Sequence, residues 1–159
     1  MTCFPEVQKK AQDEIDRVVG SDRLPTMADE SQLPYIRAMI KETLRWMPTT
    51  VTGAVPHAAT KDDEYMGHFI PKCAGILLNV WAIHVDETRH LNSRGFCPER
   101  YENDAQTAAD CAANPDASQR DHFTFGSGRR SCQEGVYWYI DIFTGQLKED
   151  ITLENMSVA

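Results

Sequence analysis

A chain of 159 residues suits a single domain and is long enough to bury about two thirds of its unfolded surface. Its 16 Lys+Arg against 24 Asp+Glu give a formal net charge of −8, which argues against nucleic acid as a partner. With 42% hydrophobic and 25% charged residues and only 9 Gly and 8 Pro, neither wholesale disorder nor a collagen-like repeat fits, and the class expected is soluble and globular.

No stretch approaches the roughly 18 apolar residues of a spanning helix, and the start, Met1-Thr2-Cys3-Phe4-Pro5-Glu6, lacks a basic and an apolar signal region. Neither a signal peptide nor a membrane anchor is expected. The cysteines, Cys3, Cys73, Cys97, Cys111 and Cys132, are odd in number and form no C-x-x-C pair, which fits a reducing, intracellular compartment and leaves little room for a zinc or redox module.

Residues 4 to 19 read as an amphipathic helix. Pro5 suits a first turn, Val7, Ala11, Ile15 and Val18 share one face, and Gly20 follows as the stop. Thr26 with Asp29 resembles a short capping signal, and Leu33-Pro34 opens a second helix running to about Met47, halted by Pro48. Its apolar stripe is Ile36, Ile40, Leu44 and Met47. At about 100° per residue Glu42 and Arg45 lie roughly 60° apart and off that stripe, where an i,i+3 pair is ordinarily solvated. From Val51 to Val85 short β-like runs, Val51 to Ala59, His68 to Pro71 and Ile76 to Val80, predict a small sheet. Residues 86 to 122 read as a long irregular loop, in which Phe96-Cys97-Pro98-Glu99-Arg100-Tyr101 is the dense patch.

The chemistry concentrates in Phe123-Thr124-Phe125-Gly126-Ser127-Gly128-Arg129-Arg130-Ser131-Cys132. Two glycines spaced by one allow a tight turn and close backbone approach to a flat or anionic ligand, and arginines can pair with carboxylates or phosphates. No Gly-Lys-Ser/Thr follows, so a phosphate loop fits poorly. A cysteine nucleophile would need a histidine base placed by the fold.

Taken in order, Glu42-x-x-Arg45, Phe96-x-Pro98-x-Arg100 and Phe125-Gly126-x-Gly128-x-Arg130-x-Cys132 resemble the cytochrome P-450 family of haem-thiolate monooxygenases, with wording closest to its fungal members. The resemblance runs from residue 4 to about 132. It implies an α+β, mainly α fold, the C-terminal, proximal haem-binding part of the family's architecture. Residues 1–132 would be a partial family domain and residues 133–159 a tail of poor resemblance. Cys132 would be the axial ligand of haem iron, its thiolate donating electron density that favours O–O cleavage. Gly126 and Gly128 would bring backbone N–H groups to the sulfur, and Phe125 would shield it. Arg130 and His57 resemble positions that contact haem propionates, although His57 also reads as an ordinary strand histidine. Glu42, Arg45 and Arg100 would form a structural charged cluster tying the second helix to the loop beneath the haem.

Two departures shape the expected function. Glu134 stands where the family places glycine two residues after the cysteine, and Val136 to Phe143 is mostly bulky where the family helix carries a small residue and a glutamate at set offsets. The long distal helix that supplies proton-delivering groups has no counterpart here, so no catalytic residue is assigned and activity from this chain alone is not expected. Intact, such an enzyme would insert one oxygen atom into a small apolar substrate with electrons from an NADPH-dependent reductase, in a family whose members of this type usually reside at the endoplasmic reticulum. The alternative is a non-catalytic truncated or misread product with weak or no haem binding.

Overall fold

The computed structural model describes residues 3–48, 51–52, 55–106 and 108–127. The expectations placed on Gly128, Arg130, Cys132 and the 133–159 tail lie outside the described residues.

Helix α1, Pro5–Val18, starts at the proline and ends where Gly20 takes a φ of +75°, a left-handed conformation that glycine adopts without steric cost. A short 3-10 turn, Met27–Gln32, follows, with the Asp29 carboxylate accepting from the Thr26 N–H at 2.8 Å and from its hydroxyl at 2.9 Å. Arg23 grips the same carboxylate with two nitrogens at 2.7 Å. Helix α2, Pro34–Trp46, then packs on α1. Its first-turn donors are met by Glu14 of α1, whose buried carboxylate accepts from the Tyr35 N–H at 3.1 Å and the Ile36 N–H at 2.9 Å. An acidic group at the positive end of a helix dipole thus fixes where the two helices meet.

Between them lies the core: Ala11, Ile15 and Val19 against Leu33, Ile36, Met39, Ile40 and Leu44, with Phe96 and Phe125 packed on its edge. The expected stripe needs one correction. Met47 is 63% exposed because the helix ends at Trp46 and Met47 swings to an extended conformation, φ −135° and ψ 73°, while Met39 fills the core instead.

The expected small sheet is two separate ribbons. Strand β1, His57–Ala58, pairs antiparallel with β4, Gly75–Ile76, and inside that loop β2, Asp63–Tyr65, pairs with β3, His68–Ile70. Met66 at φ +51° and Gly67 at φ +80° make the tight connection, the handedness that matches strand twist. The strand expected to run from Ile76 to Val80 stops at Ile76. Asn79 caps a new helix, α3, Val80–His84, by accepting from the Ala82 N–H at 3.0 Å.

The stretch expected to be irregular holds more order than foreseen. It contains a 3-10 turn at Pro98–Tyr101, helix α4 at Ala108–Ala113 and a second 3-10 turn at Ala117–Gln119. The alanine-rich sequence that read as loose polar chain is helix-forming, and Cys111 and Ala112 are buried. Among the described residues no helix is long and apolar enough to cross a membrane.

Candidate functional site

The site grows from the face of α2 opposite the apolar stripe. Glu42 and Arg45 are both fully buried and joined by two parallel bonds, Arg45 Nε to Glu42 Oε2 at 2.7 Å and a terminal nitrogen to Oε1 at 2.6 Å. The rest of the guanidinium donates to the carbonyls of His84 at 2.9 Å, Ser93 at 2.7 Å and Gly95 at 3.2 Å. Glu42 also accepts from the Cys97 N–H at 2.9 Å, and Arg100 Nε stands 3.3 Å from its Oε2. Arg100 donates onward to the Leu91 carbonyl at 2.9 Å. Glu42, Arg45 and Arg100 are therefore brought together, and the pair is not solvated. The physical reason lies outside α2: the chain from 84 to 101 folds over this face and offers inward-pointing carbonyls, so the charges are buried and hydrogen-bonded at once.

A second buried charge on the same helix escaped the sequence reading. Lys41, with no exposed surface, pairs with Asp121 at 2.6 Å and with Asp104, and its ammonium lies 5.1 Å from the Tyr101 ring centre. Burial alone would lower its pKa, but the hydrogen bonds to Asp104 and Asp121 prevail and hold it raised. The available signal was position: Lys41, one turn before Arg45, lies on the same side of α2.

His84, also fully buried, links this helix to the glycine segment. Its Nδ1 lies 3.0 Å from the Arg45 carbonyl, and its Nε2 accepts from the Phe123 N–H at 2.7 Å. Burial, reinforced by nearby His122, pushes its pKa down to about 3. The neighbouring residues are tied in as well. Thr124 donates its hydroxyl to the Leu44 carbonyl at 3.0 Å, and the guanidiniums of Arg89 and Arg120 lie over the Phe123 ring, 5.6 Å and 5.9 Å from its centre. Phe125 packs edge-on to His122 at 5.9 Å and against the α1–α2 core. Gly126, at φ +108°, closes a turn by donating to the Phe123 carbonyl at 3.0 Å, a conformation that a side chain would strain.

His57 stands apart from these residues on the β1–β4 ribbon, exposed. It pairs with Ile76, which is 49% exposed, and Val55, in the bend two residues before the strand, is 75% exposed. That edge offers aliphatic surface with one imidazole. Of the described cysteines, Cys3 and Cys73 are exposed, Cys97 is half-buried, and Cys111 is buried with its thiol pushed up to about 12 by burial and by Asp121. Cys111 accepts from the Asp121 N–H at 2.9 Å, the behaviour of a structural thiol.

Comparison with known proteins bears on the family and the fold. The sequence model of the family described as Cytochrome P450 matches residues 1–133. The curated cytochrome P450 monooxygenase virE of Hypocrea virens is 59% identical over 133 residues, covering 84% of this chain and 24% of its own length. The monooxygenase fsoB of Humicola fuscoatra is 55% identical over 134 residues, covering 83% of this chain and 25% of its own length. Among solved structures, a zebra fish cytochrome P450 with abiraterone superposes with a TM-score of 0.72 at 30% identity, covering 91% of this chain and 31% of that one. A zebra fish cytochrome P450 structure with progesterone gives 0.73 at 29% identity, covering 92% of this chain and 31% of that one. The chain thus spans about a quarter of the length of the curated relatives it matches.

Proposed function

We propose, from the premise that the chain belongs to the cytochrome P450 family, that residues 1–132 form part of the proximal haem-binding side of a haem-thiolate monooxygenase, with residues 133–159 outside that domain. The reading gives Cys132 the iron, Phe125, Gly126 and Gly128 the turn around its sulfur, and Arg130 and His57 the haem carboxylates. Haem is the family's cofactor, and when bound it supplies the oxygen chemistry that protein side chains lack.

The residues present fit that group. The segment leading to Cys132 is held at Asp121, Phe123 and Thr124 by α2 and His84 and turns at a glycine of positive φ, as close backbone approach to a flat ligand requires. The exposed His57–Ile76 pair, with exposed Val55 close by in the chain, has the chemistry for a mostly apolar macrocycle with carboxylates at its rim. Cys111, protonated and bonded to backbone, is a poor rival to Cys132. The anchored entry of the glycine segment is the single observation that carries the proposal. Insertion of one oxygen atom into a small apolar substrate, with electrons from an NADPH-dependent reductase, is the reading for the whole enzyme, supported by relatives named as cytochrome P450 monooxygenases.

The test is the reduced, carbon monoxide-bound difference spectrum of the purified chain loaded with haem. Cys132→Ala should abolish the thiolate-type signal and Cys97→Ala and Cys111→Ala should keep it; the reverse pattern refutes the assignment. A second reading, a non-catalytic chain with weak or no haem binding, is favoured by Glu134 in the glycine position. A carboxylate and a side chain at that turn would weaken binding, so Glu134→Gly should tighten it about tenfold, about 1.4 kcal/mol. If only replacement of all residues 133–159 by a family-like helix restores binding, the second reading is the better one.

A further inference from the structure

We propose that His84 is a positioning residue for the cysteine-bearing segment: its Nδ1–H donates to the Arg45 carbonyl while its Nε2 takes the Phe123 N–H, so that the buried charge of α2 sets where the chain departs toward Cys132. The consequence for haem rests on the function proposed above.

The tautomer follows from the partners. A backbone amide can only donate, so Nε2 presents its lone pair to Phe123; a carbonyl can only accept, so the proton resides on Nδ1. Burial lowers the imidazole pKa to about 3, which keeps that lone pair free at neutral pH. The link to α2 is reciprocal, since Arg45 donates to the His84 carbonyl at 2.9 Å while His84 faces the Arg45 carbonyl at 3.0 Å. Two bonds between the same two residues resist rotation as well as separation. On the far side the Phe123 carbonyl accepts from the Gly126 N–H, so the peptide groups of Phe123 connect His84 directly to the glycine turn. The Thr124 hydroxyl on the Leu44 carbonyl supplies the adjacent tie but leaves the Phe123 N–H without an acceptor if His84 is lost.

The two arms can be separated by amide side chains of different length. Asparagine places a donor near the Nδ1 position and nothing at Nε2; glutamine places an acceptor near Nε2. In the haem-free 159-residue chain, His84→Asn should speed hydrogen exchange of the Phe123 amide by about tenfold or more, whereas His84→Gln should stay within about threefold of the wild type. The Ile40 amide, in the middle of α2, should remain slow in both and report an intact fold. In the haem-loaded chain His84→Asn should move the ferrous carbonyl spectrum from the thiolate type toward the protonated-thiol type, and His84→Gln should preserve it. Unchanged exchange at Phe123 in His84→Asn overturns the proposal. So does equal loss in both variants together with Ile40, or an unchanged carbonyl spectrum in a haem-loaded His84→Asn chain. If exchange follows the expected pattern but even the wild-type chain takes up no haem, the anchoring role of His84 stands and the haem reading fails.

Discussion

Helix α2 and the two ribbons of residues 57–76 hold backbone in place by opposite means. Around α2 the chain buries Lys41, Glu42, Arg45 and His84 completely and matches their polar groups with carboxylates, carbonyls and amides from segments up to 80 residues away, Asp121 and Phe123 included. In the ribbons every residue from 60 to 69 is exposed, and order comes from short ladders and one tight turn. Buried polar networks tolerate little, because removing one member leaves the others desolvated and unpaired. Two-stranded ribbons are marginal by themselves and tolerate side-chain change easily. The first region therefore fixes geometry, and the second displays surface.

The widest gap between the two regions should appear on truncation. Arg45→Ala strands Glu42 and three carbonyls, and should cost about 3–5 kcal/mol in urea melts. Lys41→Ala should cost less, about 1–3 kcal/mol, since Asp104 and Asp121 retain some contact with water. Phe69→Ala, on the 70%-exposed ring of a ribbon, should stay within about 0.5 kcal/mol of wild type. Comparable losses in both regions would erase the distinction.

Acidity should strike the α2 region next. Burial, joined by His122 at His84 and by Arg45 at His90, lowers their pKa values to about 3 and about 4. In the unfolded chain both take up protons near the ordinary value of about 6.5, so from there down to about pH 4 the unfolded state binds more protons. Stability should fall with pH across that window, by up to about 1.4 kcal/mol per pH unit for each histidine. Paired carboxylates such as Asp29, held well below their usual range by Arg23 and the Thr26 N–H, add their loss only at lower pH. A flat urea midpoint between about pH 7 and pH 5 would contradict the buried neutral histidines.

The smallest effect belongs to the ribbon turn. Met66 holds φ +51° beside Gly67, where asparagine is the better residue, and Met66→Asn should raise stability by about 0.5 kcal/mol. A loss on thermal melting would mean that the exposed methionine makes a contact that the ribbon account ignores.

What the sequence revealed divides along the same line. Helices α1 and α2 were legible because apolar periodicity, Pro5, Pro34 and Gly20 all agree, and because their boundaries depend on neighbours in the chain. Helix α3 was hidden because Asn79, a cap, sits inside an apolar run that reads as strand. The burial of Glu42 and Arg45 could be expected only through the family resemblance, since helical geometry alone puts the pair off the stripe, and the covering carbonyls lie about 40 to 50 residues on. His84 left no trace in any motif, because both of its partners are backbone groups. Side-chain patterns do not report such contacts.

The most direct test of the idea that the buried charge of α2 acts as one unit is a double-mutant cycle on Glu42 and Arg100. Glu42→Gln keeps the shape and removes the charge; Arg100→Gln removes the cation facing it at 3.3 Å. The account predicts a coupling above about 1 kcal/mol in urea melts of the single and double variants. Additive losses, each below about 0.5 kcal/mol, would contradict it and return Glu42, Arg45 and Arg100 to the standing of ordinary surface charges.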